Sequence, residues 1–225
     1  MVLRSLGAVN RGPGSVDRAL TEREIFLFRE FANNPTLTFF PEPRILPHLK
    51  TMTTAIPSHT GALIIRTAAP ADYPHIARIT VESYLAAGHF EDANHEYMQF
   101  MQQVAARHAQ TEILVAERDG VVIGSVTMSR MGSDYADIAL EGELEFRMLV
   151  VDPKVQRSGA GRALVRAIIA RAREIDDVHT ISLTTGGTWA AARALYECEG
   201  FMHTTERDWY VPGTQILLVV YTMKL

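Results

Sequence analysis

The sequence predicts a mixed α/β domain: a central, mostly antiparallel sheet of roughly six or seven strands with helices on both faces. Three observations lead there. Two β-rich runs flank an Asp119-Gly120 turn, a buried run ending at Val151 feeds through a glycine-bearing turn into an amphipathic stretch, and periodic segments follow one another as β-α-α-β-β-β-α-β-α-β-β over residues 62–225. Each element has its own signal.

Leu63-Ile64-Ile65-Arg66-Thr67 reads as a strand, and Pro70 and Asp72 open a helix to about Ala87. A second helix spans about Asn94 to Gln110. Ile113–Glu117 and Val121–Met131 form a hairpin about the Asp-Gly turn. A polar loop, 132–142, leads to a strand at Glu143–Val151. The helix at about Gly159–Ile175 lines up Leu164, Val165, Ile168, Ile169 and Ala172 on one face. Strand 179–185, helix 188–199 and strands 201–210 and 215–223 complete the chain.

Residues 1–60 read differently. Pro35, Pro41, Pro43, Pro47 and Pro57 interrupt regular structure, and one short helix is expected near 21–33, capped by Thr21 with Glu24 and stopped at Pro35. The expectation is a poorly ordered extension. Met52 is an alternative start, in which case residues 1–51 carry no function.

Composition narrows the function classes. A net charge of −4 gives no basic field for nucleic acid, and no run approaches the roughly 20 apolar residues of a membrane span. One cysteine excludes an internal disulfide framework. The N-terminus lacks secretory order, so a cytoplasmic protein, monomer or homodimer, is expected.

The most informative segment is Leu149-Val150-Val151-Asp152-Pro153-Lys154-Val155-Gln156-Arg157-Ser158-Gly159-Ala160-Gly161-Arg162. A helix start offers unpaired amides and a partial positive charge, and glycines let a phosphate approach the backbone. A Walker loop would need Gly-Lys-Ser/Thr, which is absent. A Rossmann turn would need a small residue at Leu164 and a glycine directly after the strand. Both nucleotide readings fail. A second segment, Trp189 to Phe201, carries Ala192, Leu195, Tyr196, Gly200 and Phe201.

The spacing Gln156-x-x-Gly159-x-Gly161 resembles the pyrophosphate-binding motif of the GNAT N-acyltransferase superfamily, and Ala192-x-x-Leu195-Tyr196-x-x-x-Gly200-Phe201 resembles its second signature. The resemblance covers Leu63 to Leu225. It implies acetyl-CoA as cosubstrate, no metal, and a small-molecule or peptide amine as acceptor. It also implies that the strand before the turn splays from its neighbour, exposing amides of Leu149, Val150 and Val151 to the pantetheine and thioester. Gln156, Arg157, Ser158, Gly159, Ala160, Gly161 and Arg162 would hold the phosphates. Where many relatives carry Asn this chain has Trp189.

Counting eleven residues back from Gln156 reaches Glu145, where the family often places a general base; Glu143 and Glu141 are substitutes. Strict alternation sets Glu145, Arg147, Leu149 and Val151 on one face. Tyr196 stands where the family has its thiolate-protonating acid. Asp134, Asp137, Glu141, Glu143 and Glu145 form an acidic run with two readings, a field that draws in a cationic substrate or a plain solvated loop. His89, Phe90, Tyr97, Trp209 and Tyr210 are candidate walls for the acceptor. The other histidines are too scattered for a metal site, and Cys198 has no evident partner. Two other readings stay open: an acyl-CoA-binding module without chemistry, and residues 1–60 as a tether to a macromolecule.

Overall fold

The computed structural model describes residues 61–88, 90, 92–211 and 215–225. The proline-rich extension and its helix near 21–33 therefore lie outside the described residues, as does His89.

Strand β1 (Leu63–Thr67) is followed by a 3₁₀ turn at Pro70–Asp72 and helix α1 (Tyr73–Ala86). Arg66 ties this start together, bonding Asp72 at 2.6 Å and Glu117 at 2.6 Å. Ile76 and Ile79 bury on the inner side of α1. The helix expected over Asn94–Gln110 is instead two, α2 (Glu96–Gln102) and α3 (Val104–His108), broken at Gln103. The buried positions Met98, Met101, Val104 and Arg107 recur every third residue. Such a stripe drifts about 60° per step round a continuous helix. The break resets it.

Strands β2 (Glu112–Arg118) and β3 (Val121–Arg130) close the expected hairpin, with Asp119 at φ 52° and Gly120 at φ 75°. Two consecutive positive φ values are what a two-residue turn matched to strand twist requires. Strand β4 (Glu143–Val151), helix α4 (Ala160–Ala172), strand β5 (Thr180–Gly186) and helix α5 (Ala190–Cys198) follow near their expected limits. The single strand expected over 201–210 divides into β6 (Met202–His203) and β7 (Trp209–Tyr210) around a 3₁₀ turn at Thr205–Arg207, and both pair with β8 (Leu217–Lys224). The division brings the sheet to eight strands, ordered β1-β2-β3-β4-β5-β8-β6, with β7 also on β8. It also lets Arg207 turn inward onto Glu143, at 2.8 Å.

Among the described residues only β4 and β5 run parallel, and every other pairing is antiparallel. On one face α4 and α5 pack Leu164, Val165, Ile168 and Tyr196 against Leu144, Phe146, Ile181 and Leu183. On the other, α1 and α3 bring Ile76, Ile79 and Val104 onto Val115 and Val150, while α2 sets Met98 and Met101 near Met148. Helices thus cover both faces of a mostly antiparallel sheet.

The strict alternation expected along β4 does not hold. Ser125 pairs with Val150 but Thr127 with Arg147, so β4 carries one extra residue there, and Met148 takes φ 52°. This bulge reverses the alternation. Leu149 and Val151 pack with the α4 side, whereas Met148 and Val150 belong to the α1–α2 side. Glu145 therefore does not share a face with Leu149 and Val151. It shares one with Arg147 and Met148.

Candidate active site

The bulge coincides with a parting of strands. Pairing between β4 and β5 covers only Glu143–Phe146 against Thr180–Leu183, while β5 continues alongside β8 to Gly186. From Arg147 onward β4 has β3 on one side and no β5 partner on the other, which matches the splay the resemblance implied. The opened edge runs through Leu149, Val150 and Val151 into the turn.

That turn is firmly anchored. Asp152 accepts an N–H from Lys154 at 3.0 Å, pairs with Arg78 at 3.0 Å, and donates its own backbone N–H to Ile123 at 2.8 Å. Burial pushes its carboxyl up, but the Lys154 N–H and the Arg78 guanidinium outweigh it and hold the group below the ordinary aspartate range. Arg157 at φ 64° and Gly159 at φ 84° then bend the chain into α4. The first helical bond runs from the Ala163 N–H to the Gly159 carbonyl, so the amides of Ala160, Gly161 and Arg162 precede it without helical acceptors. A Cβ added at Gly159 would meet nothing within 4 Å, and one at Gly161 would only touch Leu195 and Val151 at ordinary distance. The turn thus offers amides, a dipole and open space, the donor set an anionic diphosphate needs. Gln156 and Arg157 are exposed; Arg162 pairs with Glu199 at 2.9 Å, so its charge is shared.

Glu145 lies on β4 before the splay and is fully buried. One oxygen, Oε2, accepts the backbone N–H groups of Ile138 and Ala139, both at 2.9 Å. The other, Oε1, stands 3.7 Å from Nε of Arg147 and has no hydrogen-bond partner. Burial pushes the carboxyl up from 4.5 to about 7, the nearby Arg147 opposing and Asp137 reinforcing that shift. Arg147 itself pairs with Asp137, at 2.8 Å, and donates to the Tyr135 carbonyl at 3.2 Å. Tyr84 and Tyr97 lie close enough to feel Arg147, and burial raises both phenols.

Tyr196 on α5 packs edge-on to Phe146, with centroids 5.7 Å apart, on the face of the sheet opposite Glu145. Burial alone raises its phenol, keeping it protonated at any physiological pH. The sequence placed Glu145 and Tyr196 in one site; the structure puts them on opposite faces of β4, beside the same gap.

The site agrees with what the chain resembles. Residues 74–201 match the acetyltransferase (GNAT) family. The chain belongs to that family. A stretch of 101 residues is 38% identical to mycothiol acetyltransferase of Cellulomonas flavigena, covering 44% of this chain and 29% of that protein. Another, of 66 residues, is 44% identical to the ribosomal protein bS18-alanine N-acetyltransferase of Escherichia coli K12, covering 29% and 44%. The chain thus spans less than half the length of these curated relatives. Two solved structures from Brucella melitensis share the fold. A ribosomal-protein-alanine N-acetyltransferase superposes with TM-score 0.55 at 24% identity, covering 72% of this chain and 99% of its own. A GNAT family acetyltransferase in complex with acetyl-CoA gives 0.52 at 21%, covering 73% and 89%.

Within this GNAT protein the acidic run does not act as a field. Asp137 is paired with Arg147 and Glu143 with Arg207, and Glu145 is buried, leaving only Asp134 and Glu141 on the surface. Phe90 and Tyr97 stack at 5.8 Å beside Tyr84 within the apolar cluster that holds Met98 and Met148. Tyr210 is exposed and Trp209 half-buried on the β7 edge. Among the described residues no group of three or more His, Cys, Asp or Glu is placed to hold a metal, and no helix is long and apolar enough to cross a membrane. Sequence reasoning missed the Arg147–Asp137 pair and the buried, unpartnered hydroxyls of Ser182 and Thr184. The first depends on how the 132–142 loop folds over β4 and the second on the β4–β5 register, and neither is local in sequence.

Proposed function

We propose that this protein transfers an acetyl group from acetyl-CoA to a primary amine of a small molecule or peptide. The observation that carries this reading is the parting of β4 from β5 at the bulge, leading directly into the glycine turn of α4. Three buried polar atoms without partners flank the last β4–β5 pairs: Glu145 Oε1 and Ser182 Oγ on residues paired with one another, and Thr184 Oγ1 one residue past the last pair. Ser182 and Thr184 alternate with Ile181 and Leu183 of the α4-side core, so they share the face of Glu145. Buried polar atoms are ordinarily paired, and an amine held there would pair them.

In this reading the amides of the turn and of Leu149–Val151 hold the cosubstrate, which supplies an activated acyl carbon. Glu145 takes a proton from the acceptor ammonium. The nitrogen then bonds to the acyl carbon as the carbon–sulfur bond breaks, the Tyr196 phenol gives its proton to the leaving sulfur, and the second proton shed by the new amide nitrogen returns through solvent to the tyrosinate. A base poised near neutrality and a phenol held protonated suit these two tasks.

A thiol-release assay over polyamines, aminoglycosides, amino acids and peptides tests it. Release of coenzyme A with at least one amine is expected; no release across the panel, with no acetyl-CoA binding, would sink the proposal. The full burial of Glu145 favours a second reading, an acyl-CoA-binding module without chemistry. Tight binding with no turnover would select it.

Two variants address the separate halves. Tyr196→Phe keeps the ring packing and removes the donor. It should lower kcat by about 10²-fold with little change in the acceptor KM, measured under saturating acetyl-CoA. Gly159→Ala sets a side chain at φ 84°, costing about 1–2 kcal/mol of fold stability. Its methyl enters the open space of the turn, so calorimetry should show acetyl-CoA affinity falling by more than that strain accounts for.

A further inference from the structure

Arg118 ends β2 next to the Asp119-Gly120 turn, yet its guanidinium reaches the α4 turn. Its Nη2 donates to the Ser158 carbonyl at 3.2 Å, and its Nε is buried without a partner. The neighbouring carboxylate Glu117 is taken by Arg66, and no carboxylate among the described residues pairs with Arg118. Ser158 sits between the left-handed residues Arg157 and Gly159, and its own buried hydroxyl also lacks a partner. β2 lies on the side of β4 away from β5.

A carbonyl facing a bound diphosphate would repel it, whereas the amides that follow attract it. We infer that Arg118 is a positioning residue for the diphosphate of an acyl-CoA: it draws the Ser158 carbonyl toward β2, so that the amides from Gly159 to Arg162 stay aimed at the phosphates. Its charge, left without a carboxylate, adds to the attraction. A hydrogen bond from a charged donor is also stronger than a neutral one, which suits a turn that must stay fixed before the ligand arrives. The inference rests on the coenzyme A reading above.

Titration calorimetry with coenzyme A and with dephospho-coenzyme A tests it on wild type, Arg118→Met and Arg118→Lys. Dephospho-coenzyme A keeps the diphosphate and lacks the 3′-phosphate. Arg118→Met should weaken both ligands by the same factor, about five- to tenfold, as expected for one lost charge-assisted contact. Arg118→Lys, which keeps the charge and serves if the methionine variant folds poorly, should recover part of that loss. Unchanged affinity in folded variants overturns the inference, and so does a loss confined to coenzyme A, which would mean a direct contact to the 3′-phosphate. A wild-type protein that binds neither ligand would instead remove the coenzyme A reading itself.

Discussion

Glu145→Gln is expected to lower kcat by about 10²-fold or more and to remove the pH dependence of the rate. Wild-type rate should climb as pH rises through about 7, where the buried carboxyl loses its proton and becomes able to accept one from the ammonium. The glutamine variant should give a flat profile over that interval. Its amide oxygen can still accept the Ile138 and Ala139 N–H groups, so the loop over β4 should stay in place.

Stability gives an independent check with the opposite sign. The folded carboxyl binds its proton more tightly than the unfolded one, whose value is 4.5, so between 4.5 and about 7 the folded state holds more protons. Unfolding free energy therefore falls as pH rises through that window. Thermal melts of wild type should lose stability from pH 4.5 to 7 relative to Glu145→Gln, which lacks the group. A rate that is indifferent to Glu145→Gln, with an unchanged pH profile, would leave the residue as a staple for the 132–142 loop and take the base role away from it.

Much of this was legible in the sequence because local chemistry governs it. Asp119-Gly120 dictates its turn through two positive φ values, and Gly159 dictates the bend into α4 through one. The apolar stripe of α4 buries Leu164, Val165 and Ile168 as its spacing requires. What stayed hidden depends on partners far along the chain. The bulge at Met148 is a matter of β3–β4 register, so alternation assigned Leu149 and Val151 to the wrong side. The acidic run looked like a solvent-facing field because its cations, Arg147 and Arg207, are fixed by the sheet and by the turn that splits β6 from β7. Arg118 reaches Ser158 across 40 residues, and no spacing rule connects them.

The Arg147–Asp137 pair is the place where stability and titration meet, and Asp137→Asn should expose both. Each side chain is about one-eighth accessible, at 12% and 13%, so solvent compensates little for a lost partner. Breaking a buried pair from one side costs about 3 kcal/mol, roughly 10 °C in Tm for a domain of this size. Asp137 also raises the Glu145 carboxyl and Arg147 lowers it. Without Asp137 the first influence disappears and the guanidinium has Glu145 as its nearby carboxylate, so the midpoint of the rate profile should move below about 7. The cost should then depend on pH in a definite direction. Near pH 5 Glu145 is protonated and Arg147 has lost its ionised partner, whereas near pH 8 ionised Glu145 stands 3.7 Å from Nε and takes over part of the pairing. Melts of Asp137→Asn should thus fall further below wild type at pH 5 than at pH 8. An equal deficit at both, with the rate midpoint unmoved, would mean that the Arg147 charge does not couple to Glu145 and that burial alone sets the carboxyl.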